Sequence, residues 1–375
     1  MQNIVFNDTK KHYEILDGLR GVAALLVILM HVFEVFANGD HSKLIINHGY
    51  LAVDFFFMLS GFVIAHAYDD RWNKMTLKGF FKRRLIRLHP MILVGTTIGA
   101  LLFYFQKSSM FPNIAGTGSG MFLLTIIAGY LMVPMPVSMD IRGWTETYPL
   151  DGPAWSLFFE YLANILYALI IRKFSTKVLS VFVLLTAIIL LQYTLTSPTG
   201  DLVGGWALNE EQLRIGFTRL LFPFLAGLLL SRIIKIKKIA YGFLFSSLML
   251  IVVLAMPRIS ANGPLWQNGL YEALSIILVF PLIVYIGACG TIKNGFAKRF
   301  CSFLGDISYP LYITHYPLIY LSTAWVTNHK VPLSEAFPFC ILIVLIAVGI
   351  AYLSLKYYDI PVRRWLSDRY MKTRK

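Results

Sequence analysis

Charge is the first thing this 375-residue sequence has little of. Only 14% of its residues are Asp, Glu, Lys or Arg, where soluble domains carry about 25%. That shortfall, beside 57% hydrophobic residues, excludes an ordinary water-soluble domain and implies an integral membrane protein. Acid is scarcer than base, with 20 residues against 34 and a net charge of +14. In a soluble chain such an excess would suggest nucleic acid as a partner. Here the placement of the charges points to membrane lipid instead, and no nucleic-acid partner is expected. Cysteine is limited to Cys289, Cys301 and Cys340, too few and too widely spaced for a disulfide framework or a metal site. Also missing are a Gly-rich phosphate loop, a low-complexity tract and a clear internal repeat.

What is present is a series of long apolar runs. A spanning helix needs about 20 mostly apolar residues. Candidate runs lie at 16–37, 48–67, 85–106, 120–137, 154–171, 178–195, 213–231, 239–256, 270–288, 303–323 and 337–357. The first is longer than the roughly 7–15 apolar residues of a signal peptide and contains charge, so it reads as a retained helix. Most basic residues fall in alternate connections: Lys10–Lys11, Arg71–Arg87, Arg172–Lys177, Arg232–Lys238, Lys293–Arg299 and Arg363–Lys375. By the positive-inside rule these connections and both termini are cytoplasmic. Between Arg87 and Arg172 the chain must then cross an even number of times, yet three apolar runs lie there. The run 120–137 is short, flanked by Gly116, Gly118 and Gly120, and ends in Pro134 and Pro136. It reads as a re-entrant or outer-face segment. The expected fold is all-α, a polytopic bundle of about ten transmembrane helices. Its divisions are a cytoplasmic segment 1–14, a membrane domain 15–358 and a basic tail 359–375.

Ionisable residues inside a bilayer are costly and usually mark function or a paired contact. Counting about 1.5 Å of rise per residue puts His31 roughly 8 Å below the outer face. On the same count Asp54, Glu160 and Arg219 lie about 9 Å deep and His315 about 12 Å deep. Five polar residues from five segments thus share one layer. Each has a structural alternative. Arg219 and Glu160 are equally read as an ion pair, Asp54 as a cap or paired group, and His315 as a partner for carbonyls freed by Pro317. His31 differs in its company: Arg20 lies eleven residues before it, three helical turns away, and Asp17 sits on the same stripe. A helix that merely packed would have little reason to keep that polar face.

A second cluster, Lys82-Arg83-Arg84-Leu85-Ile86-Arg87-Leu88-His89-Pro90, runs directly into the third apolar segment. Arg84 and Arg87, at i and i+3, share a helix face at the inner membrane surface. Any cytoplasmic connection gathers Lys and Arg, but paired guanidinium forks also suit a polyphosphate.

These residues carry a resemblance. LDGLRGVAALLVILMH (16–31), VDFFFMLSGFVI (53–64), RRLIRLHP (83–90), DGPAWSLFFE (151–160), TRLLFPFLAGLLLS (218–231) and ISYPLYITHYPL (307–318) resemble, in order, the blocks of acyltransferase family 3. The resemblance implies a multi-pass enzyme of the cell inner membrane that O-acylates sugars of surface or exported polysaccharides. It implies acyl-CoA, most simply acetyl-CoA, as donor substrate with no further cofactor or metal, and a carbohydrate as acceptor. It implies His31 as the catalytic residue and Arg84 and Arg87 as acyl-CoA ligands, with Arg20 on the path. Arg219 would steady an oxyanion or the acceptor, and Glu160 would hold the imidazole tautomer. His31 acts on this scheme as general base or as acyl carrier. Two departures stand out. Phe159 occupies a position where relatives often carry an acidic or polar residue. Many relatives also append an esterase-like domain, so this chain is expected to work alone or with a polysaccharide-assembly partner. The rival class is a transporter of an acyl group, glycan or lipid. Such proteins usually show two related halves, and a labelled donor given to the purified protein separates the two classes.

Overall fold

A computed structural model describes residues 10, 12–37, 40–259, 263–292 and 295–371. Among the basic residues used for orientation, Lys11, Lys293 and those after Met371 lie outside this set. The chain is a helical bundle of α1 Glu14–Ala37, α2 Ala52–Tyr68, α3 Leu77–Leu102, α4 Ser119–Leu131, α5 Ala154–Leu169, α6 Thr176–Thr196 and α7 Glu210–Ile233. There follow α8 Gly242–Ala255, α9 Trp266–Leu274, α10 Phe280–Cys289, α11 Gly295–Thr314, α12 Tyr316–His329, α13 Leu333–Ser354 and α14 Ile360–Tyr370. A π-turn, Ser275–Val279, joins α9 to α10, and another, Leu355–Asp359, joins α13 to α14. Two-residue strands, β1 Ile239–Ala240 and β2 Gly290–Thr291, pair in parallel and tie two connections together.

Local chemistry starts several of these helices. Thr76, Ser175 and Asn209 each accept a hydrogen bond from a backbone N–H of the first turn of α3, α6 and α7. Close packing then relies on missing side chains. A Cβ at Gly61 of α2 would run into the Phe224 carbonyl of α7, and one at Gly227 of α7 into the Met58 carbonyl of α2. Reciprocal glycines let two backbones touch where lipid offers no hydrophobic drive for association.

Every apolar run in the sequence overlaps helix, and among the described residues eight helical stretches are long and apolar enough to cross a membrane. α4 has 13 residues, about 20 Å against a core of roughly 30 Å. α8, with 14, is nearly as short, so length alone does not single out α4. The last rod differs from the expected tail: α14 continues α13 beyond Asp359, and its Arg363 lines a cavity.

Candidate active site

Two cavities of about 390 Å³ each lie along the bundle. The first sits at the end where α1 begins and is rich in arginine. Arg20 of α1, Arg84 and Arg87 of α3, and Arg363 of α14 line it, so the structure brings together all three expected donor-binding arginines. They are not equivalent. Arg84 is buried and donates to Glu160 at 2.7 Å, while Ser60 donates to the same carboxylate oxygen at 3.0 Å. Arg20 pairs with Asp17 at 2.8 Å and Arg363 with Asp359 at 2.9 Å. Arg87 is exposed and makes no ion pair among the described residues. Its guanidinium is the least committed of the four, and Arg363 spends only one nitrogen on Asp359. Beside this cavity His12 is hydrogen-bonded to Asp17 at 2.8 Å, which raises the His12 pKa above the ordinary histidine value.

The second cavity, at the other end of α1, holds His31. Its Nδ1 lies 2.9 Å from Glu34 Oε2, one helical turn further along α1. A neutral imidazole donates from Nδ1 to that carboxylate, which leaves Nε2 with a lone pair. Tyr316 packs edge-on to the ring at 4.8 Å, and His315 stacks on it at 5.6 Å. The expected partner of His31, Glu160, is not there. It lies in the arginine cavity, occupied by Arg84 and Ser60, and Glu34 takes the place beside the imidazole. The sequence signal for Glu34 was a carboxylate at i+3 from the histidine, the spacing at which helical side chains meet.

Arg219 lines the histidine cavity and is almost fully occupied. It donates to Asp54 at 2.8 and 3.2 Å, to the Tyr50 carbonyl at 2.6 Å and to the Gly204 carbonyl at 2.9 Å. Four of its five N–H groups are thereby used, and one on Nη1 has no acceptor among the described residues. The ion pair of Arg219 is with Asp54, not Glu160. His315 does bond backbone carbonyls, its Nδ1 lying 3.1 and 2.9 Å from those of Leu311 and Tyr312 at the break between α11 and α12, but not that of Ile313, the one four residues before Pro317. The five-residue layer therefore resolves into a braced ion pair, a histidine pair and a carboxylate that belongs to the other cavity.

Tyr312 is the residue that lines both cavities. Its hydroxyl meets Ser156 Oγ at 2.7 Å and its ring stands edge-on to Phe56 at 5.3 Å. Nothing in the spacing of the sequence marked it, since an aromatic in a membrane helix is ordinary.

A family model described as an acyltransferase domain matches residues 13–354. The chain belongs to that acyltransferase family. Over 165 residues, 42% of this acyltransferase-family chain, it is 34% identical to "Protein 2 in picA locus" of Rhizobium radiobacter, of which 82% is covered. It is 23% identical to the peptidoglycan O-acetyltransferase OatA of Listeria monocytogenes over 95% of this chain and 56% of the relative. The O-acetyltransferase OatA of Staphylococcus aureus is also 23% identical, over 93% of this chain and 57% of its own. This family member thus spans just over half the length of the two O-acetyltransferases. No solved structure matches it.

Proposed function

We propose that this chain is a membrane O-acyltransferase that moves an acetyl group from cytosolic acetyl-CoA to a sugar hydroxyl of a surface or exported polysaccharide. The observation that carries the reading is the His31–Glu34 pair, with Nε2 left as a base in a cavity separated by Tyr312 from a second cavity rich in arginine. Arg87 and Arg363 hold the phosphates of the donor at the cytosolic end, and the pantetheine arm passes Arg20 and Tyr312 to bring its thioester toward His31. The acceptor enters the histidine cavity from the other side of the membrane.

The chemistry balances within these groups. His31 Nε2 takes the proton of the acceptor hydroxyl as its oxygen bonds to the thioester carbonyl carbon. The free Nη1 proton of Arg219 faces the resulting oxyanion. Collapse breaks the C–S bond, and the imidazolium returns its proton to the departing thiolate. If Nε2 attacks first, the C–S bond breaks as the acetyl-imidazole forms, and CoA leaves as thiolate. The acceptor hydroxyl then adds to the acetyl carbon, the C–N bond breaks, and the freed Nε2 takes the hydroxyl proton and passes it to the thiolate. Glu34 keeps the imidazole in the tautomer that either course needs. The names of the relatives, peptidoglycan O-acetyltransferase among them, support the acetyl group and the carbohydrate acceptor.

The test supplies labelled acetyl-CoA to purified protein and follows CoA release. His31→Ala should abolish release at unchanged thermal stability. Retention of a substantial fraction of turnover would sink the assignment.

A further inference from the structure

The connection between α4 and α5 and the connection between α6 and α7 meet each other, and both contribute to the lining of the histidine cavity. Thr147 of the first donates its backbone N–H and its hydroxyl to the Trp206 carbonyl of the second, at 2.8 and 3.0 Å. The approach to Trp206 is built by Gly204 and Gly205, with φ of +144° and +109°, conformations that favour glycine. A Cβ at Gly205 would strike the Trp155 ring, and the Gly204 carbonyl is held by Arg219. Two connections and a membrane helix are thus locked together where Trp206 enters the cavity lining.

Three side chains in that lining have no part in the chemistry proposed above. Trp144 is immobilised, its indole N–H bonded to the Met110 carbonyl at 2.8 Å and its ring against Phe111 at 4.8 Å. Trp206 is half-buried, and among the described residues its ring has no aromatic neighbour and its N–H no acceptor. Glu146 is buried, with both carboxylate oxygens 2.6 Å from the Tyr320 hydroxyl and Arg142 Nε 3.7 Å away. Burial pushes its carboxyl up to about 7, with Arg142 and Tyr320 opposing the shift and Asp140 and Glu34 adding to it. One phenolic proton leaves further acceptor positions on this carboxylate.

A half-buried indole in the lining, a fixed indole and an acceptor carboxylate around one small cavity suit a ligand with an apolar face and a rim of hydroxyl donors. A pyranose ring has both: axial C–H bonds on one face and hydroxyls around its edge. A volume of about 390 Å³ is at the small end of ligand cavities and fits a single ring rather than an extended glycan. An acyl chain would find no use for the carboxylate.

We propose that Trp144, Trp206 and Glu146 form an acceptor subsite for one pyranose ring, the indoles taking its C–H face and Glu146 a hydroxyl, so that a neighbouring hydroxyl meets His31. This rests on the acyl-transfer reading above, and its test separates the two.

Membrane vesicles from cells that make the native polysaccharide are supplied with acetyl-labelled acetyl-CoA, and label is counted in polysaccharide, protein and free acetate. The readout is the share of consumed label that reaches polysaccharide, which a general loss of folded enzyme does not change. Trp206→Ala and Glu146→Ala should each lower that share tenfold or more. Trp206→Phe, which keeps a ring, should restore it to within about threefold of the unsubstituted protein. An unchanged share, an equal fall of transfer and hydrolysis, a Trp206→Phe no better than Trp206→Ala, or label on protein in place of polysaccharide would each overturn the subsite. Unsubstituted vesicles that label neither polysaccharide nor acetate would overturn the acyl-transfer reading itself.

Discussion

A histidine acts as a base only if its proton sits on the other nitrogen, and in this chain that choice is made one helical turn away. Glu34 at 2.9 Å from Nδ1 selects the tautomer and, in the proposed transfer, would steady the imidazolium formed in the transition state. Glu34→Gln keeps the shape but removes the charge, and its amide can present either oxygen or nitrogen to Nδ1. It should lower kcat about 10²-fold, within the range that positioned proton transfer contributes. Glu160→Gln should instead act on the donor, changing KM for acetyl-CoA while kcat stays within a few-fold, because Glu160 holds Arg84 and does not touch His31. Steady-state kinetics of the two variants check this; a kcat collapse in Glu160→Gln with little effect in Glu34→Gln would reverse the roles. The polar stripe picked out His31, which the structure places in a cavity lining. Glu160 matches His31 in depth but not in direction, because depth along a helix axis says nothing about rotation around it. Two carboxylates at equal depth can face different cavities.

The same limit appears at the scale of elements. Arg84 and Arg87 share a face of α3 by spacing, yet one turn of difference in height separates a buried arginine stapled to α5 from an exposed one at the cavity mouth. The fourth arginine comes from α14, a helix that follows a π-turn and whose basic residues read as a topology signal. These facts divide the arginines by function. Arg87→Lys and Arg363→Ala should each raise KM for acetyl-CoA about tenfold, since a point charge or no charge replaces a planar fork, with kcat little affected. Arg84→Lys should lower thermal stability as well, because a compact ammonium in the buried Arg84 position cannot reproduce the planar fork matched to the half-buried Glu160. Equal behaviour of all three in both assays would argue that the cluster is one uniform positive patch. What made the helices themselves legible was length and apolar content. What hid their pairing was that contact depends on absent side chains, as at Gly61 and Gly227, and glycine carries no pattern of its own.

At the scale of the molecule, the proposed transfer needs two compartments on opposite sides of a membrane and a partition between them. Tyr312, which lines both cavities, is bonded to Ser156 and stands edge-on to Phe56, and is placed to serve as that partition. The reading holds only if the arginine cavity faces the cytosol, where acetyl-CoA is, and the connection carrying Trp144 and Glu146 faces outward. The alternation of basic connections gives that orientation, and parity then requires either 120–137 or 154–171 not to span. α5 and the turn after it form a 20-residue apolar stretch, Ala154–Lys173, ending on Arg172-Lys173. α4 covers only about 20 Å and presents Leu123, Leu124, Ile127 and Leu131 on its exposed face. Both features favour a spanning α5, which places residues 138–153 outside. Ser138 is exposed in this connection, whereas Thr147 is buried and would escape any reagent. In a background with Cys289, Cys301 and Cys340 replaced, Ser138→Cys should react with a membrane-impermeant maleimide in intact cells. A cysteine at exposed Lys173, beyond α5, should react only after the membrane is opened. The reverse pattern would put the histidine cavity on the cytosolic side, and the acceptor would then have to be modified before export.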